Sequence, residues 1–116
     1  MSISPDEFLR HVLDETIFIQ RETQGILKEN FLQDERLKRA CVRSLEIIGE
    51  AVKKLPSSFK VKYSHVDWKA IAGMRDKLIH DYFGIDYDIV WDVIQNKIKV
   101  LATEINGFFD NSKKTI

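Results

Sequence analysis

The chain has a single cysteine, Cys41, so no internal disulfide can form and a reducing cytoplasm is the expected compartment. Only two prolines, Pro5 and Pro56, interrupt its 116 residues, which leaves long stretches free to be helical. No uncharged apolar run approaches the ~18 residues of a membrane span, and Met1-Ser2-Ile3-Ser4 lacks the basic start of a signal peptide. Net charge is also missing: 18 basic side chains balance 18 acidic ones, without the basic excess that announces many nucleic-acid binders. There is no repeat and no low-complexity segment. The length suits one core and is too short for two, so a single domain over residues 1–116 is expected.

The balance of charge hides an uneven distribution. Residues 1–33 and 64–116 are net acidic, whereas 34–63 are net basic through Arg36, Lys38, Arg39, Arg43, Lys53, Lys54, Lys60 and Lys62. Such a run is either a set of solvated helix faces or a surface that tracks phosphates.

The pattern is helical from end to end. Ser4-Pro5-Asp6-Glu7 is a start signal, with Ser4 as cap, Pro5 in the first turn and Glu7 as the third residue of a capping box. Ile3 and Phe8 are spaced for a hydrophobic staple, and Leu9, Val12, Leu13, Thr16, Ile17 and Gln20 form a stripe that ends near Gly25. A second helix starts near Asp34 and carries Leu37, Cys41, Leu45, Ile48, Val52 and Leu55 on its core face. Cys41 within that stripe reads as a small buried hydrophobe. Pro56 stops the helix, and 56–66 read as a polar connection. A third helix covers about 67–83, with Trp68, Ile71, Ala72, Leu78, Ile79 and Tyr82 along one side. Gly84 stops it. Asp86 then caps a fourth helix carrying Ile89, Val90, Val93, Ile94, Ile98, Leu101, Ile105 and Phe108. An all-α, up-and-down four-helix bundle, with helices at about 4–24, 34–55, 67–83 and 86–109, is the economical fold.

Chemistry concentrates in Arg75-Asp76-Lys77-Leu78-Ile79-His80, followed by Asp81-Tyr82. A guanidinium, an imidazole and a phenol together can position and protonate a phosphodiester without a metal. Arg75 interrupts an apolar stripe, and burial of such a group without a partner is costly. At ~100° per residue, Arg75 and His80 are roughly 140° apart on a regular helix and cannot both face one phosphate. Either the last turn distorts or two copies of the helix meet; Arg75 in its stripe favours two copies. Asp76 lies four positions before His80, on the same face, where its carboxylate can hold the imidazole.

The blocks Phe31–Glu35 and Arg43–Val52, then Trp68–Phe83 with Gly84-Ile85-Asp86 and Val90-Trp91, are similar to the second- and third-helix blocks of the HepT family. These are small helical ribonuclease toxins of the HEPN superfamily, and Arg75, His80 and Tyr82 match their Arg-x4-His-x-Tyr signature. The resemblance implies a symmetric homodimer with Arg75 and His80 of both subunits lining one cleft, and RNA as substrate, cut without cofactor or metal. It implies that Asp76 supports the site. It also implies a type VII toxin–antitoxin system, in which a minimal nucleotidyltransferase antitoxin (MntA-like) attaches AMP to Tyr82. Tyr87 is the nearest competing phenol. Two other readings stand beside it. His80-Asp81, with His11, His65 and Asp86 or Asp88, can be read as the metal ligands of an HD-type phosphohydrolase. A non-catalytic helical module that docks on a nucleotidyltransferase is the third reading.

Overall fold

The computed structural model describes residues 4–80 and 84–114; the side chains of Pro5, Arg75, Leu78, Ile79, His80 and residues 110–114 lie outside that description. The described residues are all-helical, without a strand. Helix α1 spans Pro5–Thr23, α2 Lys28–Gln33, α3 Glu35–Lys53, α4 Ser57–Lys62 and α5 Trp68–His80. Helix α6, Tyr87–Asp92, runs through a π-helical segment, Val93–Ile98, into α7, Lys99–Lys114. None of these helices is long and apolar enough to cross a membrane.

Local chemistry sets the helix starts. Ser4 Oγ accepts from the Glu7 N–H at 3.3 Å, Asp34 Oδ1 from Leu37 at 3.0 Å, and Asp86 Oδ1 from Asp88 at 3.0 Å. Each satisfies a donor that a helix start leaves without a partner. Gly25, at φ +75°, turns the chain after α1 in a conformation that side-chain-bearing residues avoid. The proposed staple cannot be followed, because Ile3 lies outside the described residues.

Helix α3 sits in the middle, packed on α1 and on α5, while α1 also packs on α7. Cys41, Leu45, Ile48 and Val52 of α3 are fully buried at this junction. The α1 stripe holds at Leu9, Val12 and Thr16, which are buried, but Ile17 is 44% exposed and Ile19 and Thr23 are buried in its place. Two threonines can line a core because their hydroxyls donate within the helix, Thr16 to the Leu13 carbonyl at 2.8 Å and Thr23 to that of Ile19 at 2.7 Å.

Three further differences matter. Residues 28–33 form a helix that anchors fully buried Phe31, whose ring lies 5.0 Å from that of Trp91. The connection 56–66 is not merely polar: it contains α4, whose Phe59 packs on Tyr63, Trp68 and Phe108. In the last run Ile89 is 60% exposed, whereas Val90, Ile94, Ile98, Leu101 and Ile105 are buried. The steps between those buried residues average more than the ~3.6 residues of a regular turn, so their stripe would drift around a regular helix. The wider π turns at Val93–Ile98 keep it facing the core.

Cys41 is fully buried, and desolvation, helped by the charges of Glu22 and Asp34, pushes its thiol up to about 11. A thiol raised this far stays protonated near pH 8, and only the thiolate reacts. Native protein should therefore resist alkylation at pH 8 and take up one equivalent once denatured, as read by intact mass. Rapid labelling of the native chain would contradict this burial.

Candidate active site

Helix α5 carries the motif, and its N-terminal half is firmly placed. Asp67 Oδ1 accepts from the Ala70 N–H at 3.1 Å and caps the helix. Trp68 is buried, and its indole donates to the Tyr63 carbonyl at 3.0 Å, so one side chain both fills the core and ties α5 to the preceding loop. Ile71 is buried beside it.

Arg75 and His80 therefore ride on a helix oriented by Trp68 and Ile71. The backbone is α-helical through His80, which leaves the ~140° separation of a regular helix between the two positions. Tyr82, with Asp81 and Phe83, lies outside the described residues.

Asp76 is described. Its Oδ1 is held by Lys53 Nζ, from the last turn of α3, at 2.6 Å. Both side chains are about half exposed, and such pairs contribute about 0–1 kcal/mol, so the contact matters for position more than for stability. It fixes the residue next to Arg75 against a neighbouring helix. Sequence spacing gives no warning of Lys53, which lies 23 positions away.

Three residues that a metal-phosphohydrolase reading would recruit have other roles. His65 bonds Glu104 at 2.7 Å, tying the α4–α5 loop to α7. Asp86 caps α6, and Asp88 pairs with Lys28 at 2.8 Å. Among the described residues no group of three His, Cys, Asp or Glu is placed to hold a metal. The basic run 34–63 is also sorted. Lys38 is buried, paired with Glu35 at 2.9 Å, and its ammonium lies 4.5 Å from the Tyr87 ring centroid, so it cannot serve a ligand surface. Tyr87, the competing phenol, is thereby a half-buried packing residue.

Beside α5 runs an open groove of about 850 Å³, lined by Lys53, Lys60, His65, Lys69, Gly73 and Asp76 among others. A smaller groove of about 320 Å³, which shares Gly73 with the first, separates Ala70, Met74 and Lys77 from Ile89, Val93 and Lys97.

Comparison with known proteins agrees with this helical frame. Residues 12–107 match the family described as Ribonuclease HepT-like. "Putative RNase TTE0752" of Caldanaerobacter subterraneus subsp. tengcongensis is 49% identical over 110 residues, 95% of this chain and 98% of that one. "Putative RNase MJ0127" of Methanocaldococcus jannaschii is 48% identical over 112 residues, 90% of this chain and 93% of that one. "Probable ribonuclease HepT" of Thermococcus cleftensis is 37% identical over 114 residues, 98% of this chain and all of that one. No solved structure matches significantly. Fold and similarity together define a small helical ribonuclease. The chain belongs to the HepT-like ribonuclease family.

Proposed function

We propose that this chain is the toxin of a type VII toxin–antitoxin pair, a metal-independent endoribonuclease whose site forms between two copies of a single four-helix HEPN domain. The observation that carries the dimer is the run of α5 as a regular helix through His80, which keeps Arg75 and His80 on different faces of one chain. A second α5 brought across a two-fold axis supplies the missing groups.

The chemistry is an in-line transfer. One His80 takes the proton of the ribose 2′-OH as its oxygen bonds to phosphorus, and a second protonates the 5′ oxygen as the P–O5′ bond breaks. The products are a 2′,3′-cyclic phosphate and a 5′-hydroxyl. The planar fork of Arg75 holds the crowded, more negative phosphorane, and Asp76, steadied by Lys53, orients its neighbours. A nucleotidyltransferase partner silences the enzyme by attaching AMP to Tyr82. All of this suits a reducing cytoplasm, where Cys41 remains a thiol.

The smaller groove supports the subunit contact. Ile89 is 60% exposed and lines it, so this flank of α5 offers an apolar side chain to another chain. The protein should sediment as a dimer at micromolar concentration. Ile89→Glu, at a position the fold does not bury, should shift it to monomer and abolish cleavage together. A wild-type monomer that cuts RNA in chelator would overturn the composite site.

A further inference from the structure

The larger groove beside α5 has no role in the proton transfers, and its walls are chemically uneven. Between positions 53 and 69 the sequence places Lys53, Lys54, Lys60, Lys62 and Lys69 against one acid, Asp67. The fold gathers Lys53, Lys60 and Lys69 onto the groove. Three of its charges are already committed: Lys53 and Asp76 to each other at 2.6 Å, and the Asp67 carboxylate to the α5 cap. Lys60 and Lys69 differ. Neither makes an ion pair among the described residues, although Lys60 is half-buried in the groove wall. A lysine can bury its stem and keep its ammonium in water, so both charges are available to an anion that enters the groove.

We infer that this groove is the entry track for single-stranded RNA, with Lys60 and Lys69 holding backbone phosphates and leading the strand along α5 toward the motif. The inference rests on the ribonuclease reading and adds a substrate-binding surface to it. From Lys69 to Asp76 the helix advances about 10 Å at ~1.5 Å per residue, so the track ends next to Arg75. Trp68, in the groove wall, is only 7% exposed and offers no face for a base to stack on, and the imidazole of His65 is held by Glu104 at 2.7 Å. Binding through Lys60 and Lys69 is by charge, to the phosphates rather than the bases, and strongly dependent on salt.

The test uses the full chain in a His80→Ala background, which leaves RNA intact, and a fluorescein-labelled mixed-sequence oligoribonucleotide read by anisotropy over a salt series. Lys60→Gln with Lys69→Gln should weaken binding by about ten-fold and make the log–log salt slope shallower by roughly 1.4, two single-strand phosphate contacts. Arg21→Gln with Lys99→Gln removes the same charge from a different groove and should leave both readings unchanged. Circular dichroism checks that each pair of substitutions leaves the fold intact. Cleavage of the same RNA by the otherwise unmodified chain reports separately on the ribonuclease reading. If that chain cuts RNA but the lysine pair alters neither affinity nor slope, the track is wrong and the groove serves another anion, such as an acidic protein segment. If binding depends on the lysine pair and no cleavage occurs, the track stands and the catalytic reading falls.

Discussion

His80→Ala should lower RNA cleavage by about 10²–10⁴-fold, the range that removal of a general acid–base group produces. The loss should appear in single-turnover rate, with chelator present, because the proton transfers themselves are removed. Arg75→Lys should fail as well, since an ammonium keeps the charge but lacks the bidentate planar fork for a trigonal-bipyramidal phosphorane. Expression of the wild type should arrest growth, and either variant should be harmless. Circular dichroism separates lost chemistry from lost structure: α5 is anchored by Trp68 and Ile71, so neither substitution should unfold it. Cleavage that survives both substitutions would remove the pair from the mechanism. Cleavage that stops in chelator would return the site to a metal-dependent hydrolase.

That assignment draws on features of very different visibility. The caps at Ser4 and Asp86 and the turn at Gly25 are legible because they are local, each decided by residues within a few positions. The core face of α1 is legible at Leu9, Val12 and Thr16 but not at Thr23, which periodicity sees as polar, whereas its hydroxyl is satisfied by its own helix and leaves the methyl group free to pack. Helix α4 escapes for a related reason: its sequence is polar, and only the packing of Phe59 on Tyr63, Trp68 and Phe108 shows why it is helical. The π turns at Val93–Ile98 correct the drift of a stripe, a demand of the finished core.

The candidate site divides in the same way. Arg75, His80 and Tyr82 are legible as residues of a spaced motif, and their roles belong to the proposed mechanism. Their surroundings are tertiary. Lys53 reaches Asp76 from another helix, and Lys38, one of eight basic residues in a run that suggests a phosphate surface, is withdrawn under Tyr87. A charge run in sequence does not reveal which of its members face out; here Lys53 and Lys60 line the groove and Lys38 does not.

Tyr82→Phe should leave an active nuclease that its antitoxin can no longer silence. The substitution keeps the ring and removes only the oxygen that would accept AMP, so folding, dimerisation and RNA cleavage should stay close to wild type. In the wild type, incubation with the cognate nucleotidyltransferase, ATP and Mg²⁺ should add adenylyl mass to Tyr82 and stop cleavage. The proposed cause is local: AMP would bring a nucleotide's bulk and a phosphodiester charge two residues beyond His80 in sequence, where the proposed cleft must admit another polyanion. Tyr87 is the poorer acceptor, since its ring is half-buried against the Lys38 ammonium. Peptide mass spectrometry of the treated wild type distinguishes the two phenols. AMP found on Tyr87, or a Tyr82→Phe chain still silenced by the partner's catalytic activity, would move the switch to another residue while leaving the His80 chemistry untouched.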